Sequence, residues 1–327
     1  MTGTALCAAG VVLSTAGYFA GGKDFTYTSD HMYVSGGNSS SRKNLTVMKK
    51  EQIDDFTKLN VDFEDFDLDI RTSNDDHYYM EYKLEKNGRK NPLTWKDKDG
   101  ELTLEESAGG SGSYYITYDL GIFSTHADLT EKKDALNTVV LYIPEKAQLS
   151  EAEFQLSDGD LAADQLLCKE MTLELLNGDL MLDKGEFEKF DAKLSDGDLN
   201  VKELQCTDNM QLKSGNGDVT IKKAELADGQ IALSDGDIQI DNSSFNGDMK
   251  INSSCGDVSV EMKNGSAEKT NIYLKAADGD VDTEGLSRGK TDNEEDISVY
   301  ENKAGASAPT LNVECSDGDI TLTESEK

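Results

Sequence analysis

The chain is short of cations. It sets 32 lysines and arginines against 64 aspartates and glutamates, for a formal net charge of −32. Arginine occurs only at Arg42, Arg71, Arg89 and Arg288. Nothing resembles the basic stripe that neutralises phosphates, which excludes nucleic acid as a partner and disfavours docking on anionic lipid. Proline is nearly absent (Pro92, Pro144, Pro309), which suits uninterrupted parallel ladders. No long i, i+3, i+4, i+7 apolar pattern survives the 29 glycines, so helices are not expected in the body of the chain. The five cysteines have no metal-ligand spacing and no CxxC pair. His31, His77 and His126 are scattered, and none falls in a nucleophile motif.

What the chain has instead is one repeated phrase. It reads Leu156-Ser157-Asp158-Gly159-Asp160-Leu161, then Leu175-Leu176-Asn177-Gly178-Asp179-Leu180, then Leu194-Ser195-Asp196-Gly197-Asp198-Leu199. From Gly159 through Gly178, Gly197 and Gly217 to Gly236 the steps are 19, 19, 20 and 19 residues. Gly256 follows at 20, Gly279 at 23 and Gly318 at 39. Apolar residues alternate on both sides of each turn, as in Leu173 and Leu175 before it and Leu180 and Leu182 after it. Period two with one apolar face means half-buried strands, and a fixed period near 20 is the mark of a solenoid. One such coil cannot bury its own face, but stacking at about 4.8 Å joins the faces into one interior. The predicted fold is therefore all-β, a single-stranded β-solenoid (parallel β-helix) with coils of 19–20 residues, preceded by a short hydrophobic helix.

Residues 1–22 hold a charge-free stretch from Thr4 to Ala20, short for a bilayer and read as a truncated membrane anchor, with a signal segment as the alternative. Residues 23–45 form a polar linker, 46–150 irregular amino-terminal coils with an excursion at 108–137, and 151–327 the regular repeats. Asp99-Gly100-Glu101-Leu102-Thr103-Leu104 looks like the same turn-strand unit as Asp317-Gly318-Asp319-Ile320-Thr321-Leu322. Glu294 to Val299 matches Cys255 to Val260 as a degenerate corner, with Glu295 in the glycine place, accounting for the double-length step before Gly318. Ser287–Glu294 and Asn302–Pro309 read as loops. Cys168 and Cys206 sit at equivalent places two coils apart, about 9–10 Å, too far for a disulfide; they read as buried thiols.

Two features invite a functional reading. The residue after glycine is always aspartate, at Asp160, Asp179, Asp198, Asp218, Asp237, Asp248, Asp257, Asp280 and Asp319. Stacked coils line such carboxylates into a column, where neighbours at about 4.8 Å repel by about 1 kcal/mol even in water. Either each accepts N–H groups within its own turn, or Asp160, Asp179, Asp198, Asp218, Asp237 and Asp257 form a ladder for Ca²⁺; the structural role is the preferred one. The residue before glycine is aspartate or asparagine in most corners, read as tolerance of positive φ. The second feature is Tyr114, Tyr115 and Tyr118 in the excursion, an aromatic contact patch or a packed cap. No catalytic residue is assigned and no cofactor is expected beyond Ca²⁺. A polysaccharide lyase needs a base and cations, and Arg71, Arg89 and Arg288 have no obvious neighbours.

The order of a short hydrophobic segment ending in Gly21-Gly22, an aromatic-rich start, Gly100-Glu101-Leu102-Thr103-Leu104, Leu141-Tyr142-Ile143-Pro144 and the repeated Gly-Asp turns resembles the bacterial putative-adhesin family of unknown function, DUF4097. That resemblance covers about residues 50–325. It implies a β-solenoid, membrane-tethered and extracytoplasmic, and the family name suggests adhesion. The long flat faces of a solenoid favour a non-enzymatic scaffold for adhesion or for protein–protein or glycan interaction; the alternative is an envelope-stress or regulatory accessory module acting through a partner, and a polysaccharide-active enzyme is the least favoured reading. No binding residue carries over.

Overall fold

A computed structural model describes residues 25–27, 32–34, 45–108, 136–283, 286, 289–294 and 297–326. The proposed anchor at 1–22 and the Tyr114, Tyr115 and Tyr118 patch lie outside the described residues. Within the segment read as a linker, β1 (Phe25–Tyr27) and β2 (Met32–Val34) pair antiparallel. The first part of the solenoid is β3 (Leu45–Ile53), β4 (Lys58–Phe63), β5 (Asp67–Ser73), β6 (Tyr78–Glu85), β7 (Leu93–Lys98), β8 (Glu101–Glu106) and β9 (Thr138–Pro144). The middle comprises β10 (Leu149–Leu156), β11 (Leu161–Ala163), β12 (Leu166–Asn177), β13 (Leu180–Asp196), β14 (Leu199–Asn216), β15 (Val219–Lys222), β16 (Ala224–Asp235), β17 (Ile238–Phe245), β18 (Met249–Cys255) and β19 (Val258–Met262). The chain closes with β20 (Asn271–Asp278), β21 (Val281–Asp282), β22 (Lys290–Glu294), β23 (Ile297–Asn302), β24 (Thr310–Asp317) and β25 (Ile320–Glu324).

The architecture is a β-solenoid. Before the glycine corner, Ala152, Met171, Phe190 and Met210 stand in one parallel row. After it, Leu161, Leu180, Leu199, Val219, Ile238 and Val258 form a second. Cys168, Phe187, Cys206 and Leu226 mark a third side in the middle coils. Alternation decides which side chains enter. In β13 Leu180, Leu182, Phe187, Phe190, Ala192 and Leu194 are buried, while Met181, Asp183 and Asp191 are exposed. Each such leucine or phenylalanine contributes about 1.5–3 kcal/mol by leaving water.

The levels do not follow sequence order. β24 lies between β18 and β20, and β25 between β19 and β21, all parallel. At the other end β4 lies between β8 and β10, and β5 between β9 and β11. The chain thus begins its stack one level in, doubles outward, and finishes one level in from the far end. Antiparallel strands cover the outermost levels: β7 on β8, β6 on β9 with β3 beyond it, and β23 on β20 with β22 beyond that. These covers blunt the open ladders that would otherwise invite end-to-end stacking.

Two expectations are corrected here. The degenerate corner at Glu294–Val299 is not a coil: β22 and β23 form an antiparallel hairpin, so residues 290–294 are strand, and the double-length step is an excursion around the end of the stack. Asp99-Gly100 is likewise not a solenoid corner. It joins antiparallel β7 and β8 with both residues at positive φ, 57° and 79°, the two-residue hairpin turn. β8 then aligns Leu102 with Leu59, in the row before the corner rather than after it.

The aspartate corner as a candidate functional site

At each corner the chain turns without leaving the stack. Gly197, Gly217, Gly236, Gly256 and Gly318 take φ between 114° and 140°, whereas none of the residues preceding them lies at positive φ. The need for glycine is also steric. A Cβ on Gly217 would sit less than 3.0 Å from the Gly197 carbonyl, one on Gly197 as close to Gly178, and one on Gly256 as close to Gly236. Repetition of glycine therefore reflects contact between levels as well as turn geometry.

This close approach leaves the next N–H without its ordinary partner in the ladder, and the aspartate supplies one. Asp160 N donates to Asp67 Oδ1 at 3.0 Å, Asp179 N to Asp160 at 2.9 Å, Asp198 N to Asp179 at 2.8 Å and Asp218 N to Asp198 at 2.8 Å. Asp237, Asp257, Asp319 and Asp280 continue the relay to Asp218, Asp237, Asp257 and Asp319 at 2.8–2.9 Å. The acceptor is one level away, not in the same turn. A short side chain with an acceptor on Cγ, aspartate or asparagine, spans that step, so the relay accounts for the length and the acceptor at this position and not for its charge. Nine aspartates are joined by eight such bonds, a column about 38 Å long at the strand spacing.

Asp248 belongs elsewhere. Its amide donates to Asp228 Oδ1 at 2.7 Å, and its own Oδ1 accepts from Thr310 N at 2.9 Å, a second and shorter relay at another corner. Asp67, which heads the main column, has no glycine before it. Its place in the post-corner strand Asp67-Leu68-Asp69-Ile70, paired with Leu161–Ala163, is the signal that identifies it. Burial holds its carboxyl above the ordinary range, outweighing the Asp160 amide that draws it down.

The residues before glycine form a column of their own. In order along the stack they are Asp158, Asn177, Asp196, Asn216, Asp235, Cys255, Asp317 and Asp278. Asn177 Nδ2 donates to Asp158 at 2.7 Å and Asn216 Nδ2 to Asp196 at 2.5 Å. Since these residues do not hold positive φ, the alternation of Asn with Asp has an electrostatic reason: it separates like charges and bonds them.

Arg89 and Arg71 are tied into the frame. Arg89 and Glu106 form a buried pair, Nη1 to Oε1 at 2.7 Å, with side chains 6% and 2% exposed. The other Glu106 oxygen accepts the amides of Glu64, Asp65 and Phe66 at 2.7–3.2 Å. Arg71 Nη2 pairs with Asp69 at 2.8 Å. Arginines without an obvious neighbour in sequence thus have partners 2 and 17 residues away. His77 is exposed. Cys168, Cys206 and Cys315 are buried free thiols, with Phe187 between Cys168 and Cys206; burial pushes Cys168 up to about 12. Among the described residues no three His, Cys, Asp or Glu side chains converge as a metal would require, and no helix is long and apolar enough to cross a membrane.

The family model described as Toastrack DUF4097 matches residues 56–323. Among solved structures, a putative adhesin from Parabacteroides merdae is 15% identical over 86% of this chain and 97% of its own, with a TM-score of 0.47. A putative adhesin from Parabacteroides distasonis is 16% identical over 86% and 97%, with a TM-score of 0.46. A putative lipid binding protein from the same species is 11% identical over 88% and 98%, with a TM-score of 0.43. No curated protein matches the chain.

Proposed function

This chain belongs to the Toastrack DUF4097 family, and from that premise we propose that it is a non-enzymatic β-solenoid scaffold, tethered through residues 1–22 outside the cytoplasm, that offers its faces to a protein or glycan partner. One observation carries this reading: the carboxylates that recur along the stack, and the buried Arg89–Glu106 pair, hold levels and turns together. The glycine-corner carboxylates accept amides of the next level, Glu106 holds Arg89 and a turn, and exposed pairs such as Lys189–Glu170 and Lys193–Glu174 bridge adjacent coils. On the pre-corner face a row of polar side chains repeats level by level, with Gln211 bonded to Asn209 and both Lys250 and Asn312 meeting Glu314 beside it. Gln211, Gln230, Lys250, Asn312 and Tyr273 stand in one row on the pre-corner face, repeating at about 4.8 Å, a spacing at which an extended partner is met by one donor or acceptor per level.

The test has two arms. Protease added to intact cells should remove the domain, and cleavage only after lysis would contradict the outward placement. The purified chain on a glycan array, and in capture from surface extracts, should bind through the Gln211–Tyr273 row. Binding left unchanged by alanine at Gln211, Gln230 and Tyr273 together would remove that face from the proposal.

A further inference from the structure

Strand β3 carries a bulge. Its pairing with β6 passes from Met48 opposite Tyr82 to Glu51 opposite Met80, so Lys49 and Lys50 together face Glu81. Bulges re-aim side chains, and this one lays an ammonium over two rings. Lys50 Nζ is 3.5 Å from the ring centroid of Tyr142 and 4.7 Å from that of Tyr79. The rings are cross-strand neighbours on β9 and β6. Each phenol is fixed from behind: Tyr142 donates to Glu81 Oε1 at 2.6 Å, and Tyr79 to Asp75 Oδ2 at 2.8 Å. Arg71, whose Nη1 reaches the Tyr142 oxygen at 3.5 Å, is bonded twice to Asp69 Oδ2, so its charge is answered locally.

We propose that Tyr79 and Tyr142 form a two-ring cage for an alkylammonium group, and that Lys50 is its self-supplied occupant. Ring faces attract cations through their quadrupole, and paired aromatic walls favour weakly hydrated methylated ammonium ions. Glu81 and Asp75 hold the phenols, and Asp69 offsets Arg71, whose guanidinium carbon lies 6.0 Å from the Tyr142 centroid; the chain's net charge of −32 favours the approach of a cation over an anion. Lys50 is exposed and makes no ion pair among the described residues, so only the rings retain it. A quaternary ammonium, which gives up less hydration than a primary one, is the better tenant. The cage stands independently of where the domain is displayed or what meets its flat faces.

The experiment titrates tetramethylammonium chloride into the full chain at constant ionic strength and follows the methyl proton resonance, which moves upfield between aromatic faces. Lys50→Ala should bind at least tenfold more tightly than the wild type, and Tyr142→Ala in that background should abolish the shift. Methylammonium should bind more weakly than tetramethylammonium; the reverse order would indicate plain charge attraction and overturn the cage. In the unmutated chain, tetramethylammonium should speed acetylation of Lys50, read by peptide mass, without changing Lys49. A folded Lys50→Ala chain with no saturable shift, a shift that survives loss of Tyr142, or Lys50 acetylation indifferent to the ion would each end the proposal.

Discussion

The amide of Asp319 donates to the carboxylate of Asp257 at 2.8 Å across 62 residues of sequence, while Asp280, nearer in the chain, bonds one level further out, to Asp319 at 2.8 Å. The coil of β24 and β25, though it follows β20 and β21 in sequence, is therefore an inner one. Its strands are held on both edges, by β18 and β19 below and by β20 and β21 above.

Deleting residues 310–327 should accordingly undock more than it removes. Strand β20 would lose its parallel partner and keep only β23. Hydrogen exchange should show the amides of 271–278 losing protection, while those of 180–216 remain slow, since repeat stability is passed only between neighbours. Retained protection over 271–278 in the truncated chain would contradict the inserted level.

Glycine substitutions separate turn geometry from contact between levels. Gly236→Ala sets a methyl against the Gly217 carbonyl at φ 125° and should cost about 2 kcal/mol or more in urea denaturation. Gly305→Ala meets nothing within 4 Å but keeps a φ of 156° that L residues rarely adopt, so it reports backbone strain alone and should cost about 1 kcal/mol. Equal losses would show that the corner column is not sterically closed.

The period, the corner and the inward rows were legible because each coil repeats the same local chemistry: Leu180 and Leu182 after Gly178-Asp179 read as a buried strand and are buried. The order of levels was not legible for the same reason. Val258 and Val260, Ile320 and Leu322, and Val281 offer nearly the same edge, so local pattern cannot say which stacks on which; the β22–β23 hairpin decides it. Asp99-Gly100 and Asp158-Gly159 share a dipeptide, yet the first closes antiparallel β7 onto β8 and the second leads from β10 to β11 between parallel levels; the dipeptide alone does not tell a hairpin from a coil. The alternation of Asn with Asp was visible but gained its meaning only once Asn216 was seen bonded to Asp196. Lys50 and Tyr142 are 92 residues apart, and no local signal joins them.

The two columns make opposite predictions for exchanges of Asp and Asn. Asp198→Asn keeps an acceptor for the Asp218 amide and removes one charge, so stability should change by about 0.5 kcal/mol or less. Asp198→Ala orphans that amide and should cost about 1–3 kcal/mol. Asn216→Asp sets three carboxylates in succession with Asp196 and Asp235 and loses a bond to Asp196, a cost of about 1–2 kcal/mol that added NaCl should partly restore. Matched ionic strengths of NaCl and CaCl₂ should raise the melting temperature alike if the columns are structural; a rise of several degrees specific to Ca²⁺ would favour the cation ladder instead.

Thiol labelling reads the burial directly. Cys255, exposed beside its corner, should react with a maleimide in the native chain. Cys168, Cys206 and Cys315 should react only on unfolding, as burial raises all three thiols. Peptide mapping after a short pulse at pH 8 checks this; native labelling of Cys168 would mean that the third side of the coils opens.

The pH dependence follows from Asp67. Its carboxyl is held above the ordinary 3.8 by burial, ahead of all other causes, so between that value and the raised one the folded chain binds more protons than the unfolded. Over this window stability falls as pH rises, and at neutral pH the buried charge is a standing cost. Asp67→Asn keeps an oxygen for the Asp160 amide and carries no charge to bury. It should raise the melting temperature at pH 7 and make the difference from the wild type shrink as pH falls toward 4. A variant less stable than the wild type at pH 7, with the gap closing on acidification, would mean that the carboxylate is favoured at the head of the column and that burial is not the dominant effect there.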